Sequence, residues 1–176
     1  RVVSGITSYS QLTINNAEVY TSRDVFTIYG GKTTINNGTF NSYTNNTSTT
    51  VISTLNATVV INNGTFGIGS SSDANRIGRA FTFNNTTVDI YGGSFETHYD
   101  AFAMNSSVVN LHGGTLTGVF SINASTVNIL GNVSLTTINW RGQAGTLNIS
   151  SDFELKQDLV LGAGQDTVAE QIINVN

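Results

Sequence analysis

Asp89, Tyr91, Asn110 and His112 are the residues whose types and spacing suit ligand recognition. Each pair is two residues apart, in Val88-Asp89-Ile90-Tyr91 and in Val109-Asn110-Leu111-His112. In an extended strand, period-two spacing turns both members of a pair to the same side. Tyr and His then offer flat faces on which a sugar ring can stack, while Asp and Asn can hydrogen-bond its hydroxyls. Glu96, His98, Tyr99 and Asp100 follow on the next turn. A metal set of His98, Asp100 and His112 depends on the geometry of that turn, and no metal or other cofactor is expected. Arg76 and Arg79 join the candidate ligand-binding residues because they lie in or beside a long Ser/Gly-rich insertion, in a chain with only seven cations.

Catalytic chemistry finds less support. A polysaccharide lyase needs clustered carboxylates for calcium and a positioned base. A glycoside hydrolase needs carboxylates converging across a cleft. The outward positions flanking the repeated central apolar residue read Thr34, Val60, Asp89, Asn110, Asn128, Asn148 before it. After it they read Asn36, Asn62, Tyr91, His112, Leu130, Ser150. Asp89 is the one acid among them. The expectation is therefore a protein that is not an enzyme.

The elements that position these residues come from repetition. One phrase, exemplified by Val59-Val60-Ile61-Asn62-Asn63-Gly64-Thr65-Phe66, recurs six or seven times at intervals of roughly 18–29 residues, the mark of a solenoid. Aligned on Ile14, Ile35, Ile61, Ile90, Leu111, Ile129, Ile149 and Val175, the copies carry Leu12, Thr33, Val59, Val88, Val109, Val127, Leu147 and Ile173 two residues earlier. Five residues later comes a third apolar column of Val19, Phe40, Phe66, Phe95 and Leu116, with Leu135 one residue late and Phe153 one early. These slips predict a bulge and a shortened turn. A further strand precedes each copy, as in Phe26-Thr27-Ile28, Phe81-Thr82-Phe83 and Phe102-Ala103-Met104, with Ile52 at the same offset and Trp140 less cleanly so.

Three short strands per coil, with no helical pattern between them, predict an all-β fold: a parallel β-helix of about seven coils. The chirality of parallel crossovers makes it right-handed. Residues 1–176 are expected to form one β-helix domain, a segment of a longer surface protein, with 151–176 as a last partial coil or cap. Asn84, Asn105 and Asn123 share one turn offset, with Asn56 one residue later, and are expected to supply left-handed backbone and stacked amides. Asn37/Gly38, Asn63/Gly64, Gly92/Gly93 and Gly113/Gly114 mark a second turn requiring positive φ. The Asn-x-Ser/Thr triplets at Asn56, Asn85, Asn105, Asn123 and elsewhere read as by-products of this coil chemistry rather than as glycan acceptors. Extra residues at 42–50 and 67–79 are expected to loop out of two longer coils.

Composition narrows the partners. The 176 residues carry a net charge of −4 and only 10% charged side chains, so no basic stripe exists to neutralise phosphates and no nucleic acid is expected. No stretch approaches the roughly 20 apolar residues of a membrane-spanning helix. Cys and Pro are both absent, while Asn, Thr, Ser and Gly make up roughly half the chain. That balance suits an extracellular or cell-surface protein.

With the ladders aligned, the chain resembles β-helical microbial surface adhesins, including autotransporter passengers and polymorphic outer-membrane proteins. The resemblance is carried by FxxN at Phe81–Asn84, Phe102–Asn105 and Phe120–Asn123, and by glycine pairs at Gly30-Gly31, Gly92-Gly93 and Gly113-Gly114. Ser-Phe or Thr-Leu follows the last two pairs, where that family has Ala and an aliphatic residue. The resemblance implies attachment to a host-surface glycan or protein, or self-association, and transfers no binding residue. A polysaccharide-binding module or lyase is the alternative expectation, and a phage receptor-binding spike a third.

Overall fold

A computed structural model describes residues 5–43, 49–68, 79–140, 143–150, 153, 159–161 and 169–176. The chain is a parallel β-helix. Among the described residues its strands pair in parallel with their counterparts in neighbouring coils, and no helix lies between them.

Three ladders of strands form three faces. The first contains β1 (Ile6–Ser8), β4 (Phe26–Tyr29), β7 (Thr50–Leu55) and β10 (Arg79–Asn84). It continues through the ends of β12 (Ser94–Asn105) and β13 (Val108–Asn123). The second runs through β2 (Leu12–Ile14), β5 (Lys32–Ile35), β8 (Thr58–Ile61), β11 (Thr87–Ile90) and the starts of β13 and β14 (Ser125–Trp140). It ends on β15 (Gly145–Ile149) and β17 (Gln171–Val175). The third comprises β3 (Glu18–Thr21), β6 (Thr39–Ser42), β9 (Thr65–Ile68), the start of β12 and the middles of β13 and β14. The last stretch of β14 also pairs with β16 (Leu159–Leu161).

Alternation decides which side chains face inward. Parallel sheets usually read as continuous apolar runs because helices cover both faces. In β11 one side of the strand meets solvent, so Val88 and Ile90 are buried while Thr87 is exposed and Asp89 half-buried. The predicted columns are in register: Leu12–Thr33–Val59–Val88–Val109–Val127–Leu147–Ile173 on the second face, and Phe40–Phe66–Phe95–Leu116–Leu135 on the third. The slip at Leu135 is a bulge: β14 spends one more residue than β13 between Leu111↔Ile129 and Gly113↔Asn132.

Register turns the core into stacks. The Phe66 and Phe95 rings lie 4.9 Å apart at 8°, Phe40 and Phe66 5.0 Å apart, and Phe81 and Phe102 4.8 Å apart. Each buried Phe contributes about 1.5–3 kcal/mol from area alone, and ring pairing adds roughly 0.5–1.5 kcal/mol. The Phe66 stack needs the adjacent glycine column. Gly64 has φ +144°, and a Cβ there would come within 2.9 Å of the Phe66 ring.

The corner between the first and second faces departs from expectation in one detail. The left-handed residues are Asn56, Asn85, Ser106 and Ala124, each one position after the strand-ending residue, rather than Asn84, Asn105 and Asn123. Amide stacking follows both columns: Asn85 Nδ2 donates to Asn56 Oδ1 (2.8 Å), and Asn123 Nδ2 to Asn105 Oδ1 (3.4 Å). The next residue carries the corner. The Thr86, Ser107 and Ser125 hydroxyls are buried, and each donates to the carbonyl two residues back, on Asn84, Asn105 and Asn123. Ser107 Oγ accepts the Thr86 N–H (3.1 Å), and Ser125 Oγ accepts the Ser107 N–H (3.0 Å). The triplets at Asn105 and Asn123 thus have a structural reason for their hydroxyl: it completes a buried relay between coils.

Two expected outcomes follow from buried hydroxyls with opposite fates. Ser107→Ala leaves the Thr86 N–H unpaired in the interior and should cost about 1–3 kcal/mol in chemical denaturation. Thr33 is fully buried between Leu12 and Val59, and its Oγ1 has no hydrogen-bond partner. Thr33→Val keeps the shape and removes the orphan, so it should stabilise by about 1 kcal/mol; a lower unfolding midpoint would contradict this.

Candidate functional site

The second face brings Asp89, Tyr91, Asn110 and His112 together. Asp89 and Asn110 are register partners on β11 and β13, and Asn110 Nδ2 donates to Asp89 Oδ1 at 2.9 Å. The same contact repeats down the face. Asn128 Nδ2 donates to Asn110 Oδ1 (2.7 Å), Asn148 to Asn128 (2.6 Å) and Asn174 to Asn148 (2.7 Å). These residues are 21, 18, 20 and 26 positions apart in sequence. Unequal coil lengths are therefore absorbed at corners and leave the ladder in register. Each amide both donates and accepts, whereas a carboxylate only accepts. Asp89 consequently heads the ladder, and its other register neighbour is the apolar Val60.

At the corner after this face, a second amide column runs from Asn15 through Asn36 to Asn62, with bonds of 2.8 and 2.6 Å. Tyr91 and His112 take over the column. Their rings stack 4.4 Å apart at 9°, and Tyr91 is 52% exposed. His112 Nε2 lies 3.5 Å from Asp89 Oδ1 but makes no hydrogen bond and is shielded from solvent. The contact is electrostatic in kind, between half-exposed side chains, and small by that criterion. Together the two rings form a plate beside a row of amides. Such a plate can stack against a flat apolar face, and the row can exchange hydrogen bonds with hydroxyls or a peptide backbone.

The other predicted residues are placed elsewhere. Backbone at 97–100 forms the corner after the third face, separated from Tyr91 by the Ser94–Glu96 stretch that pairs with Thr65–Gly67. The side chains of His98, Tyr99 and Asp100 lie outside the described ones. Arg76 lies outside the described residues too, and Arg79 enters only as backbone opposite Thr50 at the start of β10. Among the described residues no group of three His, Cys, Asp or Glu could hold a metal ion, and no helix is long and apolar enough to cross a membrane.

Comparison with family models, with curated proteins and with solved structures returned no match.

Sequence reasoning missed two outward-facing aromatic stacks. Tyr9 and Tyr29 lie 5.0 Å apart at 16°, and Tyr20 and Tyr43 5.9 Å apart at 11°. For the first pair the signal was present: each tyrosine sits three residues after the first residue of a first-face strand, at Ile6 and Phe26. A cleft beside Arg23 and Asp24 was also missed, because its walls come from a turn and from two separate coils.

Proposed function

We propose that this chain is a non-catalytic, extracellular β-helical segment of a microbial surface adhesin. It carries the Tyr91/His112 plate to a host-surface glycan, a host protein or another copy of itself. One observation carries the reading. At an otherwise self-satisfied corner, an amide ladder gives way to an exposed pair of stacked rings beside a carboxylate. Asn ladders alone would close the corner at no cost in exposed aromatic area.

The FxxN and glycine-pair wording supports the rod half of the proposal rather than the ligand half. Phe81 and Phe102 fill the core, and Gly93 and Gly114 have the positive φ their turns require. These motifs therefore account for the likeness to adhesin repeats by making the coil. The alternative of a polysaccharide lyase would rest on Asp89 and His112. The Asp89 oxygen that faces His112 is already used by Asn110, a poor arrangement for proton abstraction.

The Tyr91→Ala/His112→Ala double variant should fold as the wild type does, since both side chains project outward. It should also lose at least about ten-fold in affinity, roughly 1.4 kcal/mol, in a glycan array and in light-scattering assays of self-association. Unchanged binding and unchanged association in the double variant would refute the plate as the contact surface.

A further inference from the structure

We infer that a second site, on a different face from the Tyr91/His112 plate, binds a linear oligosaccharide in a cleft beside the first face. The cleft has a volume of about 630 Å³, within the range of small-molecule sites, roughly 300–1,000 Å³. Thr7 and Thr27 line it from the outer side of β1 and β4, where they are register partners. Arg23 and Asp24 line it from the turn that joins the third face to the first.

That turn is held before any ligand arrives. Asp24 Oδ1 accepts the Thr50 N–H (2.8 Å), which ties the carboxylate to the next coil. The Arg23 N–H donates to Thr21 Oγ1 (3.1 Å), and the Arg23 carbonyl accepts from Ser42 Oγ (2.7 Å). The backbone carrying the charged pair is thus fixed from both sides, which lowers the ordering cost of binding.

Two residues further along the same outward side come Tyr9 and Tyr29, roughly 7 Å from the threonines by strand geometry. Their stacked rings remain 73% and 41% exposed, and Leu55, the register partner of Tyr29, extends the apolar column. A pyranose ring presents C–H groups on one face and hydroxyls around its edge. The tyrosine plate matches the first, and the guanidinium, carboxylate and threonine hydroxyls match the second. A chain of sugars lying along the strand direction engages both at once. Nucleic acid fits badly: Asp24 would face its phosphates, and the chain has a net charge of −4.

The test is an array of linear neutral and acidic tri- to hexasaccharides, probed with wild type, Tyr9→Ala, Tyr9→Phe, Arg23→Ala and Tyr91→Ala/His112→Ala. Tyr9 and Arg23 are exposed, so their variants should retain a cooperative thermal unfolding transition. The wild type should retain at least one linear oligosaccharide. For that oligosaccharide, Tyr9→Ala and Arg23→Ala should each weaken binding ten-fold or more, while Tyr9→Phe binds as the wild type does. The inference is overturned if no oligosaccharide is held, or if Tyr9→Ala and Arg23→Ala bind normally. Loss confined to the Tyr91/His112 variant also overturns it and leaves the first site standing.

Discussion

Equivalent residues in neighbouring coils stand about 4.8 Å apart, and this spacing limits what each position can hold. A residue type recurs down a column when it can stack on a near-copy of itself. Phe can, as the 4.9 Å separation of Phe66 and Phe95 shows. Asn can, by donating one way and accepting the other, as it does from Asn110 to Asn174. Ser and Thr can when their hydroxyls serve the next coil's backbone, as at Thr86, Ser107 and Ser125. The low charge of the chain follows from the same constraint, since like charges so close repel.

Interruptions of the ladders are therefore where chemistry becomes available. Asp89 ends an amide ladder, and Tyr91 with His112 replaces another. Thr33 breaks an apolar column without compensation, and nothing among the described residues explains why a hydroxyl stands there. At the opposite extreme, the bulge opposite Gly113 absorbs an extra residue with no loss of register further on, at Thr115↔Ser134 and Leu116↔Leu135. Coil length is free to vary at corners, and strand content is not.

The fold was legible because its information is local and repeated. Val59, Val88 and Val109 each report the same inward position, so an error at one copy is corrected by the others. The corner was misread by one residue because Asn84, Asn105 and Asn123 draw attention by identity. The left-handed column mixes Asn56, Asn85, Ser106 and Ala124, and so hides the requirement they share. The Asp89/Tyr91/Asn110/His112 group was legible because adjacent coils repeat at known offsets. The cleft at Arg23 and Asp24 was not, since a groove between a turn and a face depends on corner geometry that no column records.

Both candidate contact surfaces depend on the register, so the register is what most needs measurement. The chain has no cysteine, which makes engineered pairs unambiguous. Thr65 and Ser94 are exposed register partners on the third face, and their Cα atoms should lie about 4.8 Å apart, within disulfide reach. Thr65 and Glu96 are offset by two residues and should be about 8 Å apart, beyond that reach. Under mild oxidation, Thr65→Cys/Ser94→Cys should cross-link nearly completely and Thr65→Cys/Glu96→Cys should not. Preferential cross-linking of the offset pair, or equal reaction of both, would contradict the coil register and everything built on it.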